Sequence, residues 1–528
     1  MELYLSKDKK YFLIEGITDI LQMEALREYL SYTVPYLYAL QRKYPQKFNG
    51  WDGKTEYIDK FMRIPKGLWS EVYSFCKTND IPLKIYGLKH IMDNSFNFDE
   101  FSEFALDLFD GHPTYTPYDY QIEAAGKILK YKYNQSEIAT SAGKTLISYM
   151  IFMWLKLKKN YKQQLIIVPR INLITQLLDD FAEYNHNNIP LIAAQIGGGT
   201  NQDNVDDADY IVGTYQSLNK KNKEWFKYTD SLFVDEAHYT HAKSIKKVIK
   251  IIDEQLNIKY GMSGTIKDDR GSILDSQSFL GPIIQKISPA FLMDGGFASN
   301  VHITVKKLNY LSTERREALQ HVRIINAAES AIKALALEKD VIRDSTVRFK
   351  YIVNDILTAQ QNSLVLFSDI KNGYGKRIYQ YLKEVSDKRV YYIDGSVKSD
   401  IRDYFKKVME DEDAILVAST QTLSTGISIN NISNVFLVES YKSRTVVLQS
   451  IGRGMRLHEK KQHVNIVDYI DDFRVKDGKR KENYVWNHGK ERIHYYKHSY
   501  ETAEDSKLTI INVNVGETFK EIISKKLF

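Results

Sequence analysis

Short runs of β-branched and other apolar residues recur along this chain, and helical segments separate them. The first series contains QLIIVP, DYIVGT, SLFVDE and KYGMSGT, within residues 164–265. The second contains SLVLFSD, RVYYIDG, AILVAS, NVFLVES and HVNIVDY, within residues 363–469. Strands that are apolar on both faces and alternate with helices form parallel sheets covered on both sides. The sequence therefore predicts two α/β lobes in series.

The length of the chain requires several domains, because 528 residues exceed what one hydrophobic core supports. Before the first lobe, short strand-like pieces and turns predict a small α+β accessory domain, possibly DNA-binding. In it, Asp52-Gly53 within NGWDGKTEYI predicts a hairpin. The predicted domains are an accessory domain at 1–105, a first lobe at 112–300, a second lobe at 301–475, and a basic and aromatic C-terminal extension packed on the second lobe at 476–528.

Composition limits the function classes without choosing one. A net charge of +6, from 73 basic and 67 acidic residues, permits nucleic-acid binding but does not argue for it. Cys76 is the only cysteine, which excludes an internal disulfide and a thiolate metal cage. No apolar run is long enough to span a membrane, and the N-terminus lacks a signal-peptide pattern. We expect a cytoplasmic protein with no membrane partner.

The segment ATSAGKT, residues 139–145, has the features of a phosphate-binding loop between a strand and an apolar helix. In this interpretation Gly143 lets the backbone approach the phosphates of ATP, Lys144 reaches the β and γ phosphates, and Thr145 offers a hydroxyl to Mg²⁺. The full signature requires glycine where this chain has Ile138. The alternative is a loop that ends in Gly-Lys-Thr by chance. The predicted loop residues that cradle the nucleotide are Thr140, Ser141, Ala142, Gly143, Lys144 and Thr145.

The segment LFVDEAHYT places two acids and a histidine directly after a buried strand of the same lobe. We assign Asp235 to the metal and Glu236 to the deprotonation of the attacking water, with His238 beside them. Two adjacent acids alone are usually a solvated loop. Together with the Gly-Lys-Thr loop they favour a site that hydrolyses ATP with Mg²⁺.

ATSAGKT and DEAH, in this order, resemble the nucleotide-binding segments of superfamily 2 helicases, and the resemblance extends over most of the chain. It implies tandem RecA-like lobes. YDYQIEAA resembles the adenine-reading segment, which implies that Gln121 contacts the base. GMSGT resembles the Ser-Ala-Thr element that links hydrolysis to movement, with Gly264 in place of the alanine.

In the second lobe, TQTLSTGISI resembles motif V and QSIGRGMR resembles motif VI. The resemblance implies that Thr425 and Gly426 lie near the nucleotide and that Gln449 faces the DEAH histidine. It also implies contacts with a nucleic-acid strand in both lobes. The residues concerned are Pro169, Arg170, Gly198, Thr214, Ser368, Gly395, Arg402 and Thr422.

Arg453 and Arg456 in motif VI are expected to act as arginine fingers. Two arginines three residues apart on one side of a helix can complete a γ-phosphate site and stabilise the charge that develops in transfer. Standing alone, they would be interpreted as solvated surface arginines.

Flanking segments resemble the phage recombination helicases of the UvsW type. They are FNGWDGKTEYIDKFMRIPKGLWSEVYSFC, LMDGGFAS and WNHGKERIHYYKH. The resemblance implies a monomeric DNA helicase that remodels branched or forked DNA, and that acts on RNA in RNA–DNA hybrids, within the host cytoplasm if the gene is a phage gene. A duplex translocase, an RNA helicase and a binding module with a silent ATPase remain alternatives.

The tail segment at residues 474–498 interleaves basic and aromatic residues. Such a surface can grip a phosphate backbone and stack on bases. A solvated basic helix is the equally weighted alternative.

Overall fold

The computed structural model of the protein forms two units. One comprises Met1–Ile138 with Gly143–Lys286, and the other Ala139–Ala142 with Ile287–Phe528. The residues that the structure describes are 1–34, 37–43, 45–48, 50–201, 205–240, 242–266, 269–310, 331–368, 370–397, 399–423, 429–474 and 483–515.

The N-terminal part of the first unit contains a four-stranded sheet in the order β5-β2-β1-β6 and a separate pair, β3-β4. Its strands are β1 Glu2–Leu5, β2 Tyr11–Glu15, β3 Ser31–Thr33, β4 Lys54–Glu56, β5 Arg63–Pro65 and β6 Lys84–Tyr86. Its α-helices are Ile20–Tyr29, Leu37–Lys43, Pro45–Phe48, Trp69–Thr78 and Phe98–Leu108, and its short 3₁₀ helices are Lys66–Leu68 and Leu88–His90.

The predicted hairpin at Asp52-Gly53 is wrong. Strand β4 follows that turn, but its antiparallel partner is β3, about twenty residues earlier in the chain. The residues before the turn form the short helix Pro45–Phe48 instead of a strand. The turn itself exists, since Gly53 adopts a left-handed φ of 83°, but an Asp-Gly turn alone does not choose the partner of the strand it precedes.

The first predicted lobe is an eight-stranded sheet in the order β10-β9-β11-β8-β12-β13-β7-β14. Strands β9, β11, β8, β12, β13 and β7 are parallel, and the edge strand β10 is antiparallel to β9. The strands are β7 Tyr133–Ile138, β8 Gln163–Val168, β9 Ala193–Gly197, β10 Thr200–Asn201, β11 Tyr210–Thr214, β12 Thr229–Asp235, β13 Ile258–Ser263 and β14 Ile283–Ile287.

The helices of this lobe lie between its strands, as the sequence predicts. The α-helices are Asp119–Lys130, Lys144–Leu157, Ile171–Tyr184, Tyr215–Leu218, Lys243–Ile252 and Arg270–Leu280, and the 3₁₀ helices are Glu224–Phe226 and Ala237–Tyr239. The four quoted runs of the first series coincide with β8, β11, β12 and β13, because each is apolar enough to be buried on both faces.

The second unit contains a seven-stranded sheet in the order β17-β18-β16-β19-β20-β15-β21, and its neighbouring strands are all parallel. The strands are β15 Asn300–Asn309, β16 Ser363–Phe367, β17 Arg389–Ile393, β18 Ala414–Ser419, β19 Asn434–Leu437, β20 His463–Asp472 and β21 Lys507–Asn514. The helices are Pro289–Asp294, Ala331–Asp344, Thr346–Thr358, Tyr374–Val385, Ser399–Asp411, Thr420–Leu423, Arg444–Gly454 and Tyr484–Ser499. The five runs of the second series are confirmed as β16 to β20.

The C-terminal extension is part of the second sheet's own core. Strand β21 pairs with β15 and forms the edge of the sheet. On the helix Tyr484–Ser499, the guanidinium of Arg492 is fully buried and donates to the Asp468 carboxylate at 2.8 and 3.0 Å. Tyr496 donates to the same carboxylate at 2.8 Å. These basic and aromatic residues therefore hold the helix to the sheet, while Lys490 and Lys497 are exposed.

Among the described residues, we find no helix with the length and apolarity needed to cross a membrane.

Candidate active site

The predicted phosphate loop joins the end of β7 to the helix Lys144–Leu157. Gly143 caps this helix with a left-handed φ of 79°, and a Cβ at this position would lie 2.3 Å from Nε2 of the buried Gln121. Ser141 is also left-handed, with φ 73°. The loop therefore needs glycine at 143 and presents the N-terminus of a helix, where unpaired N–H groups attract an anion.

Ile138, which occupies the position of the missing signature glycine, is a fully buried strand residue. It is the last residue of β7, so the turn of the loop begins after it. Thr140 is half-buried and Ala142 is buried. A glycine at position 138 would remove core packing without adding freedom where the loop turns.

Gln121 lies against this loop, on the first turn of the helix Asp119–Lys130. Its side chain is 4% exposed, and its Oε1 accepts the backbone N–H of Tyr118 at 2.9 Å. The carboxamide is therefore fixed in orientation beside Gly143.

The acidic segment turns sharply at the end of β12. Glu236 has a left-handed φ of 50°, and its backbone N–H donates to Oδ1 of Asp235 at 2.9 Å. A 3₁₀ helix, Ala237–Tyr239, follows directly. A glutamate whose backbone lies in the left-handed region is strained, and backbone strain of this kind concentrates at functional sites.

Within the first unit, the structure brings Lys144 and the acidic turn together. Nζ of Lys144 lies 3.7 Å from Oε1 of Glu236, and each side chain is only 17% exposed. Burial raises the pKa of Glu236, but the Lys144 ammonium and the contact with His238 outweigh it, so the net pKa falls to about 2. Burial and the neighbouring Glu236 charge raise the pKa of Asp235 to about 6. Lys144 thus stabilises the ionised form of Glu236.

Ser263 is a site residue that we did not select from the sequence. Its Oγ lies 2.7 Å from Nδ1 of His238 and 3.2 Å from Oε2 of Glu236. It also donates to the carbonyl of Thr265 at 2.9 Å, and His238 Nδ1 lies 3.2 Å from Oε2 of Glu236. The resemblance of GMSGT to the Ser-Ala-Thr element, which links hydrolysis to movement, was the available signal. The structure places this serine at the end of β13, the strand beside β12.

The residues predicted to contact nucleic acid in the first lobe lie at the carboxyl ends of its strands. Pro169 follows β8, and Arg170 begins the next helix. Gly198 has φ 70° in the turn after β9. Thr214 ends β11 and is 4% exposed, with its hydroxyl donating to Ser217 Oγ at 3.1 Å. Carboxyl ends of parallel strands share one edge of a sheet, so these residues lie on the edge that holds the acidic turn.

In the second unit the predicted contacts also follow strand ends. Ser368 comes after β16, and its backbone N–H donates to Glu439 Oε2 at 2.7 Å. Gly395 lies in the turn after β17. Thr422 is 3% exposed, with its hydroxyl 2.6 Å from Ser419 Oγ. Arg402 lies on the helix Ser399–Asp411.

The motif VI residues lie at the end of the helix Arg444–Gly454. Gln449 and Arg453 are on this helix and are half-buried. Arg456 is not on it, so the prediction of two arginines on one side of a helix is wrong for this residue. The helix ends two residues earlier, and Arg456 Nη1 lies 3.5 Å from Asn430 Oδ1. Thr425 and Gly426 lie outside the described residues.

Comparisons with known proteins agree with this arrangement. Residues 114–268 match the family described as "Type III restriction enzyme, res subunit", and residues 348–458 match "Helicase conserved C-terminal domain". The chain is 30% identical over 475 residues to the ATP-dependent DNA helicase uvsW of Enterobacteria phage T4, covering 85% of this chain and 89% of the relative.

Two solved structures align with most of this chain. The crystal structure of T4 UvsW aligns with 97% of this chain and 99% of its own length, at 26% identity and a TM-score of 0.47. The DNA-bound type ISP restriction-modification enzyme LlaBIII aligns with 78% of this chain and 33% of its own length, at 17% identity and a TM-score of 0.56.

Two sheets of parallel strands, a phosphate loop and an acidic turn beside it are the components of a superfamily 2 helicase, an enzyme that hydrolyses ATP to drive movement on nucleic acid. The identity to T4 UvsW, over most of both chains, places this protein within that class. The chain belongs to the UvsW family of superfamily 2 helicases.

Proposed function

We propose that this helicase uses ATP hydrolysis to remodel branched or forked DNA, by branch migration, fork regression and the removal of RNA from R-loops. The observation that carries the proposal is the extent of the similarity. It covers 89% of a relative named as an ATP-dependent DNA helicase. The aligned span is longer than the two lobes that helicases of many kinds share, so it includes part of the segments that flank them.

The ATP site is built on the first unit. Backbone N–H groups at the start of the helix Lys144–Leu157 receive the phosphates, and the Lys144 ammonium moves from Glu236 to the β and γ phosphates. Glu236 takes the proton of the attacking water. His238 and Ser263 hold the Glu236 carboxylate in place, because both lie within 3.2 Å of its Oε2.

Mg²⁺ fits the side chains at this site. Asp235 and Thr145 offer a carboxylate and a hydroxyl, the hard oxygen donors that Mg²⁺ prefers, and Mg²⁺ bound with ATP typically uses only one or two protein carboxylates. When bound, the ion would neutralise charge on the phosphate oxygens.

We keep two assignments from the family resemblance as proposals. Arg453 and Arg456 stabilise the charge that develops on the γ phosphate, and Gln121 orients the adenine. The strand-end residues of both sheets, from Pro169 to Thr422, track the phosphate backbone of one DNA strand. The protein works as a monomer in the cytoplasm, which is the host's cytoplasm if the gene is a phage gene.

The test is ATP hydrolysis by the purified protein, titrated at one fixed salt concentration with single-stranded DNA, duplex DNA, a four-way junction and RNA. Fixed salt matters because backbone binding depends steeply on ionic strength. The strongest stimulation by the junction, followed by strand displacement from it, is the expected result. Equal stimulation by plain duplex would indicate a duplex translocase, and stimulation by RNA alone an RNA helicase.

A further inference from the structure

The N-terminal domain packs against the helix that follows the Ser263–Thr265 segment, Arg270–Leu280. The Arg270 guanidinium donates to Glu71 Oε2 at 2.7 Å and to the carbonyl of Tyr29 at 2.8 Å, and it lies 4.5 Å from the centre of the Tyr29 ring. Both partners belong to the N-terminal domain. One arginine therefore makes an ion pair, a backbone hydrogen bond and a ring contact across this interface.

The next turns of the same helix continue the contact. Leu274 is fully buried in the hydrophobic core of the N-terminal domain. A Cβ at Gly271 would lie 2.7 Å from the Tyr32 ring, and a Cβ at Gly67 would lie 1.9 Å from the carbonyl oxygen of Gln277. The two backbones approach as closely as glycine permits, so this helix is packed into the N-terminal domain along its length.

The N-terminal domain also reaches the helix that follows the DEAH turn, Lys243–Ile252. Lys246 of that helix donates to both oxygens of Asp275 at 2.6 and 2.7 Å. Tyr57 of the N-terminal domain faces the same carboxylate: burial, followed by the Asp275 charge, raises the pKa of Tyr57. Asp275 thus joins the N-terminal domain to the two helices that leave the catalytic segments.

A second set of contacts lies at the far end of the helix Lys243–Ile252. Asp253 caps this helix and accepts from Lys259 of β13 at 2.6 Å. Lys66 of the N-terminal domain lies 3.8 Å from the same carboxylate, and Lys10 pairs with Glu254 at 2.8 Å. The C-terminal end of this helix is therefore held against the N-terminal domain by Lys66 and Lys10, and Lys259 ties β13 to the same end.

We propose that the N-terminal domain braces the ATP site, with Asp275 and Tyr57 as its positioning residues. Neither touches the nucleotide. Each acts through two helices. The helix Lys243–Ile252 positions the DEAH turn, and the helix Arg270–Leu280 positions Ser263. The proposal rests on ATP hydrolysis at the site described above, and it gives the accessory domain a role in the rate of that step in addition to any contact with DNA.

The experiment compares the variants Asp275→Asn and Tyr57→Phe with wild type in DNA-stimulated ATP hydrolysis. Both keep the size of the side chain, and Tyr57→Phe loses only a hydroxyl. The rate is divided by the number of sites that bind a non-hydrolysable ATP analogue, so that misfolded molecules do not count. We expect kcat per site to fall about 3- to 30-fold for Asp275→Asn, and less for Tyr57→Phe, with the KM for ATP unchanged.

Asp206→Asn is the matched control, because Asp206 pairs with Lys227 at 2.8 Å in the same unit, on elements that carry none of these contacts. Asp275→Glu, which keeps the charge, should restore most of the rate. Wild-type kcat per site in both Asp275→Asn and Tyr57→Phe, or an equal loss in Asp206→Asn, would overturn the proposal. If wild type itself hydrolyses no ATP, the proposed function fails instead.

Discussion

The Lys144 ammonium lies 3.7 Å from the Glu236 carboxylate. The residue proposed to bind phosphate and the residue proposed to activate water thus form an ion pair in the structure. A largely buried pair of this kind is costly to break by removing one partner, because the other charge stays behind without compensation. In the proposed mechanism a phosphate of ATP replaces Glu236 as the partner of Lys144, and Glu236 is then available to the attacking water.

Glu236→Gln should abolish hydrolysis while ATP still binds. Glutamine keeps the shape but cannot accept the proton, and a general base typically contributes about 10²- to 10⁴-fold to the rate. Because the substitution also removes the charge that holds Lys144, ATP should bind at least as tightly as to wild type. Turnover and fluorescent-nucleotide binding, measured on the same preparation, check both statements.

Glu224→Gln provides the control, since Glu224 pairs with Lys227 at the surface of the same unit. It should leave turnover unchanged. Wild-type turnover in Glu236→Gln would remove Glu236 from the role of base, and loss of binding would show that its charge supports the loop instead.

Arg456→Ala should lower turnover by about 10³-fold or more without unfolding the protein, if Arg456 acts as an arginine finger. Arg456 is half-buried just beyond its helix, so its removal leaves the helix intact. The rate of ATP hydrolysis and the apparent melting temperature are measured together. An unchanged rate would remove Arg456 from the role of arginine finger.

Much of the fold was predictable because many of the predicted strands are buried along their whole length, as β8, β11, β13, β16, β18 and β19 are. Nine apolar runs gave nine strands, since such runs have few other ways to be buried. Strand β7 is different: Asn134, Gln135 and Ser136 are fully buried in it. The pairing of β3 with β4 and the edge strand β21 were missed, because partners distant in sequence leave no local pattern.

The candidate site was predictable where one segment contains the chemistry. ATSAGKT and DEAH identified Lys144 and Glu236, although their 3.7 Å separation depends on the order of strands in the sheet. Ser263 was missed because a serine at a strand end has no distinctive chemistry until its neighbours are known. The role of the tail segment at residues 474–498 could not be predicted, because Arg492 and Lys497 carry the same charge. Only the packing in the structure shows that Arg492 is buried and Lys497 is exposed.

Arg492→Met should destabilise the second unit. The substitution leaves the Asp468 carboxylate buried without its cation, which typically costs about 3–5 kcal/mol. For a unit of this size the apparent melting temperature should fall by roughly 10 °C. Arg389→Met is the matched control, because Arg389 pairs with Glu412 at an exposed site and its loss should leave the melting temperature unchanged. If both variants lower the melting temperature by the same small amount, the helix Tyr484–Ser499 is held by apolar packing alone.

Lys66→Met should make the first unit more stable than in wild type below neutral pH. This difference in stability should shrink as the pH rises. Lys66 is 3% exposed, and its Nζ has no hydrogen-bond partner within the described residues. Burial, together with the Lys259 ammonium, lowers the pKa of Lys66 to about 7, against 10.5 for the free side chain.

The sign of the effect follows from proton counts. Below pH 7 both the folded and the unfolded protein bind the Lys66 proton, so the folded state carries the full cost of a buried charge. Between pH 7 and 10.5 only the unfolded state keeps the proton, so wild-type stability from this group rises by about 1.4 kcal/mol per pH unit. Methionine has no proton to lose. The difference in apparent melting temperature between Lys66→Met and wild type should therefore be largest at pH 6 and smaller at pH 9. The same difference at both pH values, or the difference that the exposed Lys7→Met gives, would show that Lys66 is charged throughout and compensated by Asp253.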